Sequence, residues 1–506
     1  MSVPAAIISQ DVNLQMLLQG MVDAPAIEIS GIATDSRLIR SGEVFFACAG
    51  EHSHGLDFAK DAVAAGAVAI VYDAETAGDG RKDSRLPMIA LPGLQQKIGE
   101  IANRWFDTPS ESLSVIAVTG TNGKTTVAVL LARCLQILGR RCGYIGTLGK
   151  GTGEITSGSG LTSPACIELH QTLAEFRGEN AAYAAIEVSS HALTQRRTDG
   201  VKFNTAIFTN LSRDHLDYHG DMSNYFEAKA QLFTDNELEH RIINIDGEFG
   251  LKLADRCDSN VVVVSTQFER VSNGRPFVFA RSVVADASGS RIRFDTSWGE
   301  VQVHVRMPGD FNVENTALVL ACLLRHGVSL SQASEALQQV DAPPGRMQIV
   351  NVSGSKNLPS VFVDFAHTPS ALEKALKAIR QHSKKELWCV FGCGGDRDRG
   401  KRPQMGEIAS RLADYAIVTS DNPRGENAAN IIGDIVAGMN DQAIIIEDRA
   451  AAIAYAIDAC GDTATVMIAG KGHESVQIIG AESIPFSDFE IALANLEARS
   501  EKGAGS

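Results

Sequence analysis

A β-branched apolar run, "SVIAVT", stops at Thr119, and an amphipathic stretch of helical period, "TTVAVLLARCLQILG", takes over a few residues later. Between them lie Gly120, Thr121, Asn122, Gly123, Lys124, Thr125 and Thr126. A strand that ends in a glycine-bearing turn and continues as a helix belongs in a parallel sheet covered by helices. The two glycines let backbone N–H groups turn toward phosphate oxygens, and the helix N-terminus adds partial positive charge. In this pattern Lys124 reaches the β- and γ-phosphates of a nucleotide, and the Thr125 hydroxyl ligates Mg²⁺. The general pattern asks for a further glycine where Val118 stands, so the spacing departs from it.

The 506 residues exceed what one hydrophobic core serves, so several domains are expected. Residues 1–109 mix short strands and turns, and "RWFDTPSES" reads as a linker. Residues 110–345 alternate strand and helix, with "RPFVFARSVVADASGSRIRFDT" reading as an antiparallel insertion and "DAPPGRMQ" as a second linker. Residues 346–506 return to strand and helix and end in "EARSEKGAGS", which reads as a frayed tail. The expected fold is α/β in three domains, with a central P-loop-type, mostly parallel sheet and a Rossmann-like C-terminal domain. A net charge of −15 speaks against a nucleic-acid binder or an anionic membrane surface. No apolar run approaches the roughly 20 residues that span a bilayer, and the N-terminus lacks a signal-peptide pattern, so a cytoplasmic chain is expected. The nine cysteines show no metal-like spacing and read as reduced thiols.

Four strands of the last section end in unusual polar residues: "DFAHTP", "GCGGDRDRGKRP", "SDNPRGE" and "AGKGHES". Ligands of open α/β sheets bind beyond the carboxyl ends of the strands, so these four ends point to one site. A turn accounts for Asn422-Pro423 but not for Arg424. In the middle section, Glu187 interrupts an apolar strand, and a buried carboxylate is costly unless paired or bound to metal. Asp214, His215, Asp217 and His219 crowd the exit of another strand. Together with Thr125 they suggest a Mg²⁺–nucleotide site, although His is an unusual ligand for Mg²⁺. Lys229, in "NYFEAKAQLF", reads as an ordinary helix-surface lysine.

The motifs "GTNGKTT", "EVSSHAL", "NLSRDHLDYHGDM", "PGRM", "DFAHTPSAL", "GCGGDRDRGKRP", "DNPRGE" and "AGKGHE" resemble, in this order and over essentially the whole chain, those of the Mur ligases. "DNPR" with "GKGHE" narrows the resemblance to members that add diaminopimelate. The resemblance implies ATP-dependent amide formation in peptidoglycan precursor synthesis, through an acyl phosphate. Its substrates are then ATP, UDP-N-acetylmuramoyl-L-Ala-D-Glu and meso-diaminopimelate, with neither nucleic acid nor membrane insertion, and the chain is expected to be a monomer. Residues Gly120 to Thr126, with Asn315 and Arg346, match the ATP contacts. Thr125 and Glu187 match one Mg²⁺ site; Glu187, His215 and Lys229 match a second, in which CO₂ carbamylates the lysine. The resemblance thus reverses the plain reading of Lys229. Lys124, Lys229, Glu187, His215 and His367 are the implied catalytic set. Thr34, Ser36, His52, Ser53 and His54 match the uridine side, and Thr162, Ser163, Ser189, Gln195 and Arg197 match contacts to the muramoyl-peptide. Arg397, Asp421, Asn422, Pro423, Arg424, Gly470 and Glu474 match the pocket for the incoming amino acid.

This chain has Ser163 where Thr is commoner, Phe365 where Tyr is usual, and Ser370 where Asp is usual. Loss of that phenol removes any hydrogen bond it made. A lysine-adding counterpart and a folylpolyglutamate synthetase-like ligase share much of this pattern, and a P-loop switch shares the phosphate loop. The switch leaves the four polar strand ends unexplained.

Overall fold

The computed structural model describes residues 12–50, 53–77, 85–156, 160–257, 260–267, 272–286, 289–352, 358–382, 385–440 and 443–504. The chain divides into a first compact unit ending at Val263 and a second opening at Val264. Both expected linkers, near 109 and 345, therefore lie inside units.

The first unit holds two sheets. Strands β1 (Gly31–Ala33), β2 (Glu43–Ala47), β3 (Ala69–Tyr72) and β4 (Met88–Ala90) run parallel in that order. Alternate residues of β2 enter different cores, Val44 and Phe46 on one side and Phe45 and Ala47 on the other, as the two-residue strand period requires. The stretch read as a linker is packed: Trp105 and Phe106 share the core of this sheet with Ala174 of helix Cys166–Gly178.

The second sheet contains β5 (Ser114–Thr119), β6 (Cys142–Gly146), β7 (Gly149–Gly151), β8 (Tyr183–Glu187), β9 (Thr205–Phe208), β10 (His240–Asn244) and β11 (Val261–Ser265), the last of which runs across the unit boundary. Their order across the sheet is β11-β10-β9-β5-β8-β6-β7. From β10 to β6 neighbouring strands pair in parallel, and β7 turns back against β6. Val118 of β5 pairs with Glu187 of β8 and with Ile207 of β9, so the phosphate loop leaves the sheet beside the buried carboxylate.

The second unit bears out the antiparallel reading of residues 275–296: β12 (Phe277–Asp286), β13 (Gly289–Thr296) and β14 (Gly299–Val305) form an antiparallel meander. A six-stranded sheet follows, built from β15 (Gln348–Val350), β16 (Ser360–Asp364), β17 (Leu387–Phe391), β18 (Tyr415–Val418), β19 (Ala443–Ile445) and β20 (Thr465–Ala469). Its order is β15-β16-β20-β17-β18-β19, parallel except for β15. Asp364, Ala469, Phe391 and Val418 stand in one register row, so the four polar ends leave the sheet at the same level. Helices cover both faces, as the buried runs on the inner strands β16, β20, β17 and β18 demand. A hairpin, β21 (Val476–Ile479) with β22 (Glu482–Pro485), follows β20. The expected frayed tail is helical as far as Ala504: helix Asp488–Ala504 continues into it, with Ala492 and Leu496 of the preceding turns in the core.

Candidate active site

In the first unit, Gly120 leaves β5 with φ +145°, and a β-carbon there would collide with the Thr209 hydroxyl. The chain passes too close to the β9 exit for any side chain, and Asn210 fixes it by accepting from Thr121 N and, through Oδ1, from Asn122 N at 3.0 Å. Gly123 caps helix Lys124–Ile137 in the left-handed region, so the Lys124, Thr125 and Thr126 amides open that helix. The Lys124 ammonium folds over its own loop and donates to the Gly120 and Thr121 carbonyls, each at 3.0 Å.

Glu187 is fully buried at the end of β8. It accepts from Thr125 Oγ1 at 2.9 Å, from Thr147 N at 3.0 Å and Thr147 Oγ1 at 3.1 Å, and from the Tyr144 hydroxyl. Hydroxyl and amide donors, rather than a cation, offset the cost of burying this carboxylate. Tyr144 and Thr147 escaped the sequence reading; their signal was a polar turn, "GTLG", at the end of another strand of the same sheet.

Lys229 corrects its plain reading. It is 1% exposed, on the inward face of helix Met222–Thr234, and its Nζ donates to the Gly120 carbonyl at 3.0 Å. Burial drives its pKa well below the ordinary lysine value, the Lys124 charge pushes the same way, and Asp214 opposes both. Lys229 Nζ lies 4.8 Å from the Tyr225 ring centroid, and the rings of His215 and His219 stand 6.2 and 5.0 Å from the same ring. The Tyr225 hydroxyl lies 3.2 Å from Thr121 Oγ1. His215 itself is half exposed, with Nε2 3.5 Å from Asp214 Oδ2. Among the described residues no group of three or more His, Cys, Asp or Glu side chains is placed to hold a metal.

Ser163, Ser189, Gln195 and Arg197 form one hydrogen-bonded chain, and Thr162 stands beside it on Thr147. Thr162 meets Thr147 at 3.2 Å; Ser163 Oγ donates to the Glu187 carbonyl at 2.8 Å and accepts from Ser189 N at 3.1 Å. Arg197 donates to the Ser163 carbonyl at 3.0 Å and to the Gln195 side chain. In the turns that flank the smaller sheet, Ser36 is buried, and Thr34 and Ser53 are exposed. His54 is committed locally: Nδ1 accepts from Leu56 N at 3.0 Å and Nε2 donates to Thr76 Oγ1 at 3.0 Å. His52 lies outside the described residues.

In the second unit, the buried Asn315 donates to Asn312 Oδ1 at 3.2 Å within helix Asp310–Arg325. The Arg346 guanidinium lies 4.8 Å from the Phe365 ring centroid. His367 Nδ1 donates to the Phe365 carbonyl at 2.8 Å. Asp364 accepts from Met347 N at 2.7 Å; burial pushes its carboxyl up to about 6, against Arg346.

The "DNPR" turn is assembled from three directions. Asn422 Nδ2 donates to Glu474 Oε2 at 2.8 Å, and Asn422 Oδ1 accepts from Lys471 Nζ and Ile478 N, both at 3.0 Å. Gln477 Nε2 donates to the Asp421 carbonyl at 2.7 Å. Arg424 has φ +50° and pairs through its backbone with hairpin β21–β22. Its guanidinium donates to the Gly395 carbonyl at 3.0 Å and pairs with no carboxylate among the described residues. The nearby acids are otherwise engaged. Glu426 is held by Arg402 at 2.8 Å and Arg399 at 3.1 Å, while Asp421 accepts from Asn422 N at 2.7 Å. Arg397 is exposed, and Pro423 is buried.

Three buried cations that the sequence reading gave no role brace these turns. Arg402 joins Glu426 to Asp434; Lys471 joins Asn422 to Glu474; Arg449 forms a fully buried pair with Asp488 at 2.7 Å and donates to the Ala469 carbonyl at 3.0 Å. Gly470 has φ +121°, and a β-carbon there would stand 2.7 Å from Asp421 Oδ2. Gly470→Ala is expected to cost about 1–3 kcal/mol in backbone strain, read by urea unfolding. An unchanged midpoint would mean that the turn relaxes freely.

The described residues include no helix long and apolar enough to cross a membrane. Three family models match the chain: the Mur ligase family catalytic domain over residues 28–105, the Mur ligase middle domain over 118–323, and the Mur ligase glutamate ligase domain over 345–472. A relative from Coxiella burnetii, named UDP-N-acetylmuramoyl-L-alanyl-D-glutamate–2,6-diaminopimelate ligase, is 44% identical over 92% of this chain and 95% of its own. A relative of the same name from Xanthomonas campestris pv. campestris is 42% identical over 98% and 99%. A solved structure of a ligase of that name superposes with TM-score 0.70 at 32% identity, covering 97% of this chain and 99% of its own. A folylpolyglutamate synthase of Mycobacterium tuberculosis, solved with ADP, shares the fold with TM-score 0.60 at 18% identity, over 74% of this chain and 92% of its own. With relatives this similar over nearly its full length, the chain belongs to the Mur ligase family.

Proposed function

We propose that this chain joins meso-2,6-diaminopimelate to UDP-N-acetylmuramoyl-L-alanyl-D-glutamate at the expense of ATP, in cytoplasmic synthesis of a peptidoglycan precursor. It is an ATP-dependent amide-forming ligase, as its family membership and relatives establish. The observation that carries the choice of amine is Arg424, a planar bidentate cation without a carboxylate partner, at the exit of β18. Diaminopimelate brings the carboxylate that lysine lacks.

A carboxylate is a poor electrophile, so one of its oxygens first takes the γ-phosphoryl group of ATP. The amine then attacks the acyl carbon, and phosphate leaves from the tetrahedral intermediate. The protein contributes placement and charge neutralisation. In this reading the phosphate-loop amides and Lys124 hold the β- and γ-phosphates, and the Ser163–Ser189–Arg197 chain orients the acyl substrate. Asn315 and Arg346 hold the rest of the nucleotide, and Thr34, Ser36 and Ser53 the uridine end. Arg397, Asp421, Asn422, Arg424, Gly470 and Glu474 receive the amino acid. The domain boundaries near 109 and 345 stand close to the edges of the three family matches. One chain supplies every residue named, and we read it as a monomer.

The Thr125 hydroxyl and Glu187 carboxylate, 2.9 Å apart beside the loop, are oxygen donors of the kind Mg²⁺ takes. Bound there, Mg²⁺ neutralises phosphate charge. Two such donors are few, and Lys229 is the neighbour that can add another. Burial favours its uncharged amine, whose nitrogen attacks the carbon of CO₂; one C=O pair moves to oxygen and the proton lost from nitrogen passes to solvent water, giving a carbamate. His215 would then complete the second metal site. Enzyme equilibrated with carbon-13 bicarbonate and Mg²⁺–ATP is expected to give a carbamate resonance that Lys229→Ala lacks. Turnover in that variant is expected to fall by the roughly 10–100-fold typical of losing support for a bound metal, with partial rescue by acetate. A wild-type spectrum without the resonance overturns the carbamate.

The overall test is phosphate release with the UDP-muramoyl dipeptide and a panel of amino acids. Release that needs both the dipeptide and diaminopimelate supports this reading. Equal use of L-lysine favours the lysine-adding alternative, and release with neither present favours a nucleotide switch.

A further inference from the structure

Lys471 follows Gly470 at the exit of β20 and is fully buried. Its three N–H donors are all used: on Asn422 Oδ1 at 3.0 Å, on Glu474 Oε2 at 2.8 Å and on the Val476 carbonyl at 2.7 Å. Asn422 Nδ2 donates to the same Glu474 oxygen at 2.8 Å. Glu474 therefore has one oxygen locked from two sides, while Oε1 takes no hydrogen bond among the described residues, on a side chain 32% exposed. A glutamate with two free oxygens can turn about its last bond; this one cannot without breaking two hydrogen bonds, both charge-assisted and one of them an ion pair.

We infer that Lys471 is a positioning residue that aims Glu474 Oε1 at the far ammonium group of the incoming amino acid, and so helps select an amine as well as a carboxylate at that end. This rests on the amino-acid pocket proposed above. Lys471 does not touch the substrate; it acts through Glu474. A merely structural lysine would tie the β18 and β20 exits together and affect every amino acid alike.

The probe that separates these roles is 2-aminopimelate, which keeps one amine and both carboxylates of diaminopimelate but lacks the second amine. KM values for both compounds are measured in the wild-type enzyme, Glu474→Gln, Lys471→Met and the double variant. Losing a hydrogen bond to a charged group is expected to raise the diaminopimelate KM about tenfold or more in each single variant. The 2-aminopimelate, ATP and UDP-dipeptide KM values should stay within about twofold. Because Lys471 works through Glu474, the double variant should be no worse than Glu474→Gln. That comparison also stands if Lys471→Met alone leaves a buried charge unpaired and folds poorly. Equal losses for both amino acids in Lys471→Met, or a double variant clearly worse than Glu474→Gln, overturn the inference and leave the pocket assignment intact. An unchanged diaminopimelate KM in Glu474→Gln instead overturns the pocket assignment, and the inference with it.

Discussion

Lys124→Ala is expected to lower kcat by roughly 10³-fold or more, the scale on which preorganised charge at a transferring or developing anion acts. The ammonium lies on the Gly120 and Thr121 carbonyls, 3.0 Å from each, at the mouth of the helix that follows. A phosphate seated on the loop amides would stand within reach of it. Lys229 is near, but burial favours its uncharged form, and its nitrogen already donates to the Gly120 carbonyl. The competing role, a lysine that merely ties down two loop carbonyls, predicts a stability loss with kcat preserved. Single-turnover phosphate release alongside thermal unfolding separates the two, and near-normal kcat would remove Lys124 from catalysis.

Arg424→Ala should reduce kcat/KM for meso-diaminopimelate by about a hundredfold or more, since truncating one partner of a buried, hydrogen-bonded charge pair costs about 2–5 kcal/mol. The local acids have other partners: Glu426 is clamped by Arg402 and Arg399, and Asp421 accepts from the next residue's N–H. The backbone of Arg424 is fixed as well, between Ile478 and Gly480 of the hairpin, in a left-handed conformation that a non-glycine residue seldom adopts. Such a placement directs one side chain at the cost of backbone ease. In wild type, L-lysine should be rejected, because it would leave the guanidinium facing an empty carboxylate position. In Arg424→Ala the selectivity should collapse because diaminopimelate falls, not because lysine rises. Equal kcat/KM for the two amino acids in the unmutated enzyme would refute this account.

The phosphate loop was legible because backbone requirements write themselves into residue type: Gly120 admits no side chain, and Gly123 sits in the left-handed region. The convergence of four strand ends was legible for a similar reason, since parallel strands place all their exits on one edge. Lys229 was misjudged by looking at its identity before its position. Tyr225 and Phe226 precede it by four and three residues, and Leu232 and Phe233 follow at the same spacings, so helical periodicity already placed it on the buried stripe. Arg402 carries the same signal with Met405, Gly406 and Ala409. The pairing of Arg449 with Asp488 could not be read this way, because their contact spans thirty-nine positions and depends on tertiary structure. The linker at "RWFDTPSES" announced its packing through two aromatic residues that a free linker has no use for.

The buried pair of Arg449 and Asp488 has a consequence for the order in which the molecule can be completed. Arg449 steadies the β20 exit through the Ala469 carbonyl and reaches the β18 exit through the Ser420 carbonyl, yet its counter-charge opens the final helix. During synthesis the ribosome delivers that carboxylate after every residue assigned to the amino-acid pocket. Until it arrives, the floor of the proposed pocket carries a buried guanidinium that has lost its directly paired carboxylate and keeps only the more distant charges of Asp421 and Glu474, and breaking such a buried pair costs about 3–5 kcal/mol. A chain that stops short of residue 488 thus has every recognised motif and still lacks the charge that lets them sit together. A segment that leaves the ribosome after the pocket's own residues thus completes the proposed substrate site.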